Sequence, residues 1–210
     1  MEDKRLTPEE SMALIAQMIE SSKQRVAMPD IRISVMWATL TILTAAVVFI
    51  VSLIHYTPFI NFVWFAIPVI GIPANLAMAK KSGVEKGAKT VTDTISNGIW
   101  KTVGFIAIAL TVMCMVFWLL GYPSAWLAMF DYAFVVVGFG AAMQGIVLKE
   151  NSYVFGGFFS IIAGFVVIAL QICQIPIGII WCLPLYMLCF LLMFVVPAFV
   201  IRKKLNSTKR

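Results

Sequence analysis

Charged residues are scarce in this sequence, and they are almost absent from its long hydrophobic runs. Only 12% of the 210 residues are charged and 61% are hydrophobic, whereas about a quarter of the residues in soluble domains are charged. The composition therefore excludes an ordinary soluble domain. It is typical of a polytopic membrane protein, whose main partner is the lipid bilayer.

Motifs for catalysis and cofactor binding are missing as well. No HExxH, GxSxG or Gly-rich phosphate loop occurs, there is one histidine, and the four cysteines form no CxxC pair. We predict no catalytic residue, no metal site and no cofactor, and we expect that the protein is not an enzyme. The cysteines are interpreted as small buried hydrophobic residues, with a disulfide between Cys173 and Cys182 as the alternative.

Six hydrophobic segments are long enough to cross a bilayer, which takes about 20 residues in a helix. Open sheets cannot satisfy their backbone in lipid, so the sequence predicts an all-α fold. Short turns join consecutive segments into three helical hairpins. The six predicted spans lie at about 33–54, 59–79, 102–121, 125–147, 153–173 and 179–201.

Positive charges are predicted to lie on one side of the membrane only. If the N-terminus is cytoplasmic, all 16 Lys and Arg residues fall in the cytoplasmic segments 1–32, 80–101, 148–152 and 202–210. This agrees with the positive-inside rule, so we predict cytoplasmic termini and a basic tail at 202–210. The net charge of +6 then reflects orientation and anionic lipid, not nucleic acid.

Residues 1–30 are predicted to form a cytoplasmic segment with an amphipathic helix. Thr7 and Glu10 form a capping-box pattern around Pro8, which suits the first helical position. The helix either packs against the inner face and the lipid boundary, or docks a cytoplasmic protein through residues 7–25. The apolar stripe of this helix consists of Met12, Ile15, Met18 and Ile19.

A second amphipathic segment, 82–100, is predicted to be an interfacial helix that leads into the third span. Trp100 and Lys101 are expected to anchor it at headgroup depth. No phosphate-binding loop accompanies it, which argues against a nucleotide site.

Prolines interrupt two of the predicted spans. Pro68 and Pro73 flank Gly71 in the second span, and Pro184 and Pro197 lie in the sixth. Such kinks serve packing alone, or they let Asn75 line a polar cavity.

Asp131 is the one acidic residue inside the predicted spans. It either has a structural role, as a protonated or hydrogen-bonded group, or belongs to an ion or proton pathway, or occupies an ordinary interfacial position. Small residues follow it on the same helix face, and the next span carries a matching stripe, so we predict close packing of these helices. Gln171 and Gln174 are the candidate hydrogen-bond partners of Asp131. The predicted packing residues are Gly138, Ala142, Gly145, Gly156, Ser160 and Gly164.

Several motifs occur in a recognisable order along the chain. They are ESMALIAQMIESSK (10–23), MW (36–37), VWFAIPVIGIPANLAMAKK (63–81), TDTISNGIWK (92–101) and VPAFVIRKK (196–204). Their order resembles a family of small six-span membrane proteins from Bacteroidetes-type bacteria. The resemblance implies the six-span fold, and it carries over no activity, ligand or catalytic residue. Members are often encoded beside a small winged-helix transcriptional regulator, which implies a signalling or stress-response context.

These observations predict a multi-pass protein of the bacterial cytoplasmic membrane, with a transmembrane domain at 31–201. The leading hypothesis is a non-enzymatic scaffold or sensor that contacts a cytoplasmic partner or further copies of itself. The alternative is a small transporter or permease in which Asp131 and Asn75 line a polar pathway.

Overall fold

The computed structural model describes residues 7–55, 58–86 and 91–207. Every element in this part of the chain is helical, and none of it forms a strand. Six helical segments are long and apolar enough to cross a membrane, which confirms the predicted all-α fold. Their bounds agree with the predicted spans within a few residues, except at the start of the third. They are Ile31–Ile54, Ile60–Lys80, Val91–Leu119, Ser124–Leu148, Asn151–Ile172 and Ile179–Lys204.

The first helix, α1, runs without interruption from Pro8 to Ile54. The predicted capping box is present: the Glu10 backbone N–H donates to Thr7 Oγ1 (3.2 Å), and the Thr7 N–H donates to Glu10 Oε2 (2.9 Å). The amphipathic helix that was predicted within the N-terminal segment 1–30 is continuous with the first span. No glycine, which commonly ends a helix, lies between Pro8 and Ile54, although the range contains Pro29.

The second span begins as a 3-10 helix, Pro58–Phe65, and continues as α2, Ala66–Lys86. Pro73 lies inside α2 and cannot donate a backbone hydrogen bond to the preceding turn. Gly71 is buried against the Trp37 ring of α1, and a Cβ at residue 71 would overlap that ring. The glycine therefore allows α2 to lie close to α1.

The third helix, α3, spans Val91–Leu119. The prediction of one interfacial helix at 82–100 differs from the structure, in which 82–86 end α2 and 91–100 begin α3. Residues 87–90 lie outside the described part of the chain. Asp93 and Ser96 are buried, so this stretch packs against the protein instead of lying flat on a membrane surface.

The helices α4, Leu127–Leu148, and α5, Asn151–Ile172, form an antiparallel pair with extensive contacts. A short 3-10 helix, Pro123–Trp126, precedes α4. Lys149 ends α4 with a left-handed backbone (φ 56°), and the N–H of Glu150 donates to the Gly145 carbonyl (2.8 Å). This is a Schellman-type helix end, at a position where glycine is usual.

The sixth span consists of α6, Ile179–Phe190, a π-helical turn at Leu191–Val195, and α7, Val196–Ser207. Pro184 lies inside α6, and Pro197 follows the π turn. Because proline lacks an N–H and its ring crowds the preceding turn, a regular α-helix is disfavoured there. The π turn widens the helix at that point, so the predicted interruption is confirmed.

The helices pack in a defined order around the core. Helix α4 contacts α3 and α5, helix α1 contacts α2 and α6, and the π turn contacts both α5 and α1. The fourth, fifth and sixth spans are the most buried, whereas the second and third are exposed along most of their length. Their exposed apolar side chains form the kind of surface that lipid covers.

The two ends of the bundle differ in charge. Residues 55–59, 121–124 and 174–178 connect spans at one end, which we call the uncharged side, and they contain no Lys, Arg, Asp or Glu. At the opposite end, which we call the basic side, Lys204 of α7 forms an ion pair with Glu150 in the α4–α5 turn (2.7 Å).

Candidate functional site

The interface between α4 and α5 contains the predicted small residues. Ser160 is fully buried, and its hydroxyl donates to the Phe134 carbonyl at 2.9 Å. A Cβ at Gly138 would lie 3.0 Å from the Gly157 carbonyl oxygen, and one at Gly145 would lie 2.6 Å from the Val154 backbone nitrogen. The two backbones therefore approach each other closely.

Gly164 and Ala142 also belong to this interface. A Cβ at Gly164 would lie 2.7 Å from Phe134 Cβ, and Ala142 is buried where it faces Gly157. Five of the six predicted packing residues thus lie between α4 and α5.

Gly156 is the exception. A Cβ at this position would meet the Leu192 carbonyl oxygen in the π turn of the sixth span, so Gly156 faces the sixth span and not α4. Gly157 takes the predicted place, because a Cβ there would lie 2.5 Å from both the Ala142 nitrogen and the Gly138 carbonyl oxygen. Adjacent helical residues point about 100° apart, so the two glycines let α5 approach two helices.

Asp131 lies at the uncharged end of the α4–α5 interface. Gln171 Nε2 donates to Asp131 Oδ1 at 2.9 Å, as predicted for one of the two candidate partners. Gln174, the other candidate, is exposed in the turn after α5 and has a left-handed backbone (φ 56°). Asp131 is four residues from the start of α4, which places it about 6 Å from that end of the helix.

A groove of about 250 Å³ opens beside Asp131. Helix α4 forms its floor, with Asp131, Tyr132 and Val135, while Ile106 and Leu110 of α3 line it from one side and Ile168 of α5 from the other. The Tyr132 hydroxyl already donates to the Val103 carbonyl at 2.8 Å. The groove is therefore open and largely apolar, with the carboxylate of Asp131 among its lining groups.

Asn75 does not join this group. It is half-buried on α2, and the residues that line the groove come from α3, α4 and α5. The structure therefore does not bring Asn75 and Asp131 to one common cavity among the residues it describes.

A buried polar contact on the basic side was missed by the sequence analysis. Ser96 Oγ of α3 donates to Gln144 Oε1 of α4 at 2.7 Å, and both residues are almost fully buried. Asp93 is buried one turn before Ser96. The three-residue spacing of Asp93 and Ser96 was a usable signal, because it places both on the same helix face.

Aromatic residues form a second group that the sequence analysis did not predict. Tyr186 of α6 lies at its centre, and its ring centroid is 5.0 Å from that of Phe130, 5.6 Å from Trp64 and 4.8 Å from Phe190. Ring pairs at such distances contribute beyond their buried area. The ring of Trp100, which was predicted to anchor the chain at headgroup depth, lies 5.7 Å from that of Phe194.

The apolar stripe near the start of α1 is exposed. Met12, Ile15 and Ile19 have 73%, 56% and 53% of their surface accessible, and the side chain of Met18 lies outside the described part of the structure. The described stripe residues therefore do not pack against the inner face of the bundle.

All four cysteines are free, so the alternative of a Cys173–Cys182 disulfide is not found. Cys114, Cys182 and Cys189 are buried, as their interpretation predicts, whereas Cys173 is exposed. Within the described residues, no group of three His, Cys, Asp or Glu side chains is placed to hold a metal ion.

Over the residues that the structure describes, the fold is all-helical, with six helices able to span a membrane and a closely packed α4–α5 pair. No protein-family model, curated protein or solved structure matches the chain. The resemblance to a six-span bacterial family therefore rests on the sequence motifs alone.

Proposed function

We propose that this protein is a non-enzymatic scaffold or sensor of the bacterial cytoplasmic membrane, and that it docks a cytoplasmic protein through the start of α1. The observation that carries the proposal is the continuity of α1, which extends the first span as a helix with an exposed apolar stripe.

The extension is long enough to serve as a docking element. Residues 8–30 precede the first span, and as a helix they measure about 35 Å at 1.5 Å per residue. Met12, Ile15 and Ile19 recur at helical spacing on one side of it. Amphipathic helices with such anchors bind apolar grooves of partner proteins.

The charge distribution supports a cytoplasmic location for this helix. The described basic side carries Lys80, Lys149 and Arg202, while the connections on the uncharged side carry no Lys or Arg. By the positive-inside rule, this asymmetry supports cytoplasmic termini. The proposal includes membership of the Bacteroidetes-type family and the signalling context that the resemblance implies.

The interior of the bundle supports a scaffold over a transport pathway. The carboxylate of Asp131 is hydrogen-bonded to Gln171, and the groove beside it is apolar apart from Asp131 and Tyr132. Transport pathways usually bring several polar or ionisable groups together within the spans.

Site-specific photocrosslinking in cells tests the proposal. A photoreactive amino acid is placed at Met12, Ile15 or Ile19 in the full-length chain, and the membranes are irradiated and analysed by denaturing gel electrophoresis and mass spectrometry. We expect one discrete protein adduct from all three positions. Lipid adducts alone would overturn the proposal. An adduct of twice the chain's mass would show that the helix binds a second copy of this chain and not a different protein.

Leu14 provides the matched control. It is also apolar and exposed (42%), but it lies about 100° or more around the helix from each stripe residue. Ile15→Glu should abolish copurification of the crosslinked protein, while Leu14→Glu should retain it. Equal loss in both variants would show that the stripe has no specific role.

The alternative proposal is a small transporter. It is favoured by the presence of a carboxylate–amide pair inside a span and by the prolines in the second and sixth spans. Proton or substrate flux into proteoliposomes that Asp131→Asn and Asn75→Ala both impair would support it. Flux that neither substitution alters would remove these residues from the mechanism.

A further inference from the structure

The groove beside Asp131 has one polar wall and an otherwise aliphatic lining. Ala128, Asp131, Tyr132, Val135 and Val136 recur at three- and four-residue spacing, so they share one face of α4. Asp131 lies near the uncharged end, and Val135 and Val136 lie about one turn deeper. Asp131 and Tyr132 are therefore the polar groups of this face, with Ala128 on their uncharged side and Val135 and Val136 on the other.

The hydrogen bonds that Asp131 and Tyr132 make within the protein limit which ligand groups they can bind. Asp131 Oδ1 accepts from Gln171, and among the described residues no hydrogen bond reaches Oδ2. The Tyr132 hydroxyl uses its proton on the Val103 carbonyl. Both groups can therefore offer only oxygen acceptors while Asp131 is ionised.

We propose that this groove binds a single-chain amphiphile of the outer leaflet whose head group donates hydrogen bonds. The ammonium or hydroxyl head group binds Asp131, and the first part of the chain lies along Ile106, Leu110 and Ile168. An ammonium head is preferred, because it pairs with the carboxylate as well as donating to it. While Asp131 is ionised, its like charge repels a carboxylate or phosphate head.

The size of the groove fits part of such a molecule. Its volume of about 250 Å³ lies just below the range of about 300–1,000 Å³ that is typical of enclosed ligand pockets. The groove is open and lies between helices long enough to span a membrane, so in this proposal the remainder of the chain lies among the lipids. This site goes beyond the proposed cytoplasmic docking function, and neither depends on the other.

Head-group competition in a defined bilayer tests the proposal. Full-length protein is reconstituted in phosphatidylcholine vesicles, because the choline head has no N–H to donate. Photoactivatable octadecylamine, octadecanol and octadecanoic acid are added separately, and labelled peptides are mapped by mass spectrometry. We expect the amine to label groove peptides at least about tenfold more than the acid, with the alcohol between them. Equal labelling by all three would overturn the proposal.

Two pairs of variants separate head-group recognition from nonspecific contact. Asp131→Leu should remove the preference among the three probes, and the nearly isosteric Asp131→Asn should reduce the amine preference while retaining the alcohol. An unchanged amine preference in both variants would overturn the proposal.

Val136→Trp should fill the groove and reduce labelling by the amine at least fivefold. Phe199→Trp, at an exposed position on α7 that does not line the groove, should leave labelling unchanged. Equal effects of these two substitutions would show that the probes contact exposed helix surfaces and not the groove, and elution on gel filtration checks that each variant is folded.

Discussion

The side chains of Gln171 and Asp131 are separated by 40 positions in the chain and joined by a 2.9 Å hydrogen bond across the α4–α5 interface. The bond lies at the uncharged end of a helix pair whose backbones are held close by small residues. It gives the acidic residue in the middle of an apolar segment a defined partner.

We predict an asymmetric cost for breaking this pair. Gln171→Leu removes the donor and leaves the carboxyl group unpaired, so the free energy of unfolding should fall by about 1–3 kcal/mol. The double variant Asp131→Leu, Gln171→Leu should recover most of that loss, because both polar groups are then gone and no carboxyl group is left unpaired. Denaturant titration in detergent micelles measures both values.

Gln174→Leu is the control for this cycle, since Gln174 is exposed in the following turn. It should change the free energy of unfolding by less than about 0.5 kcal/mol. Equal losses for Gln171→Leu and Gln174→Leu would contradict the assigned role of the hydrogen bond.

The glycine at position 157 should be the least tolerant of the residues between α4 and α5. A Cβ there would lie 2.5 Å from backbone atoms of Gly138 and Ala142, so Gly157→Ala must separate the helices. We expect a loss of about 1–3 kcal/mol, the usual cost of overpacking. Gly104→Ala on α3 is the matched control, because nothing lies within 4 Å of its added Cβ. Similar thermal midpoints for the two variants would contradict this prediction.

The contact between Gly71 and Trp37 should control the packing of α2. Gly71→Ala would push the methyl group into the Trp37 ring, so we expect a lower thermal midpoint and altered Trp fluorescence. Adding Trp37→Phe should restore part of the loss, because a smaller ring leaves room for the methyl group. Gly98→Ala, which meets no atom within 4 Å, serves as control. No recovery in the double variant would place the cost elsewhere.

Lys149 should be a position where substitution stabilises the protein. Its backbone is left-handed (φ 56°), a conformation that costs a side-chain-bearing residue roughly 1–2 kcal/mol. Lys149→Gly should raise the free energy of unfolding by up to about 1 kcal/mol. The gain is smaller than the relieved strain, because glycine loses more backbone entropy on folding. Lys149→Ala, which keeps the Cβ, should give no such gain. A gain of the same size with alanine would assign the effect to the lost charge.

Local signals in the sequence predicted the elements well. The capping box at Thr7 and Glu10 and the proline interruptions of the sixth span depend on near neighbours in the chain, so their physics is readable from short motifs. The helix α1 is longer than predicted because the amphipathic and fully apolar segments, which Pro29 separates, were treated as two elements, whereas the helix continues through that position.

Contacts between helices were predicted less completely. Gly156 was predicted to belong to the stripe of small residues by which α5 packs against α4. In the structure Gly156 faces the sixth span, and Gly157 faces α4. One position along a helix changes direction by about 100°, and the sequence does not show which of two adjacent glycines faces which neighbour. The same limit hid the bond between Ser96 and Gln144.

The number of spans, their helical nature and the asymmetry of charge are consequences of composition. A bilayer forces the backbone to satisfy its hydrogen bonds within each apolar segment. A count of the long apolar segments is therefore sufficient to predict how many helices span the membrane. The partner of Asp131 was narrowed by the sequence to two glutamines near one helix end. Only the tertiary structure shows that Gln171, and not Gln174, binds Asp131. The rotation of α5 relative to α4 depends on side-chain packing along the whole interface, and no local sequence pattern encodes it.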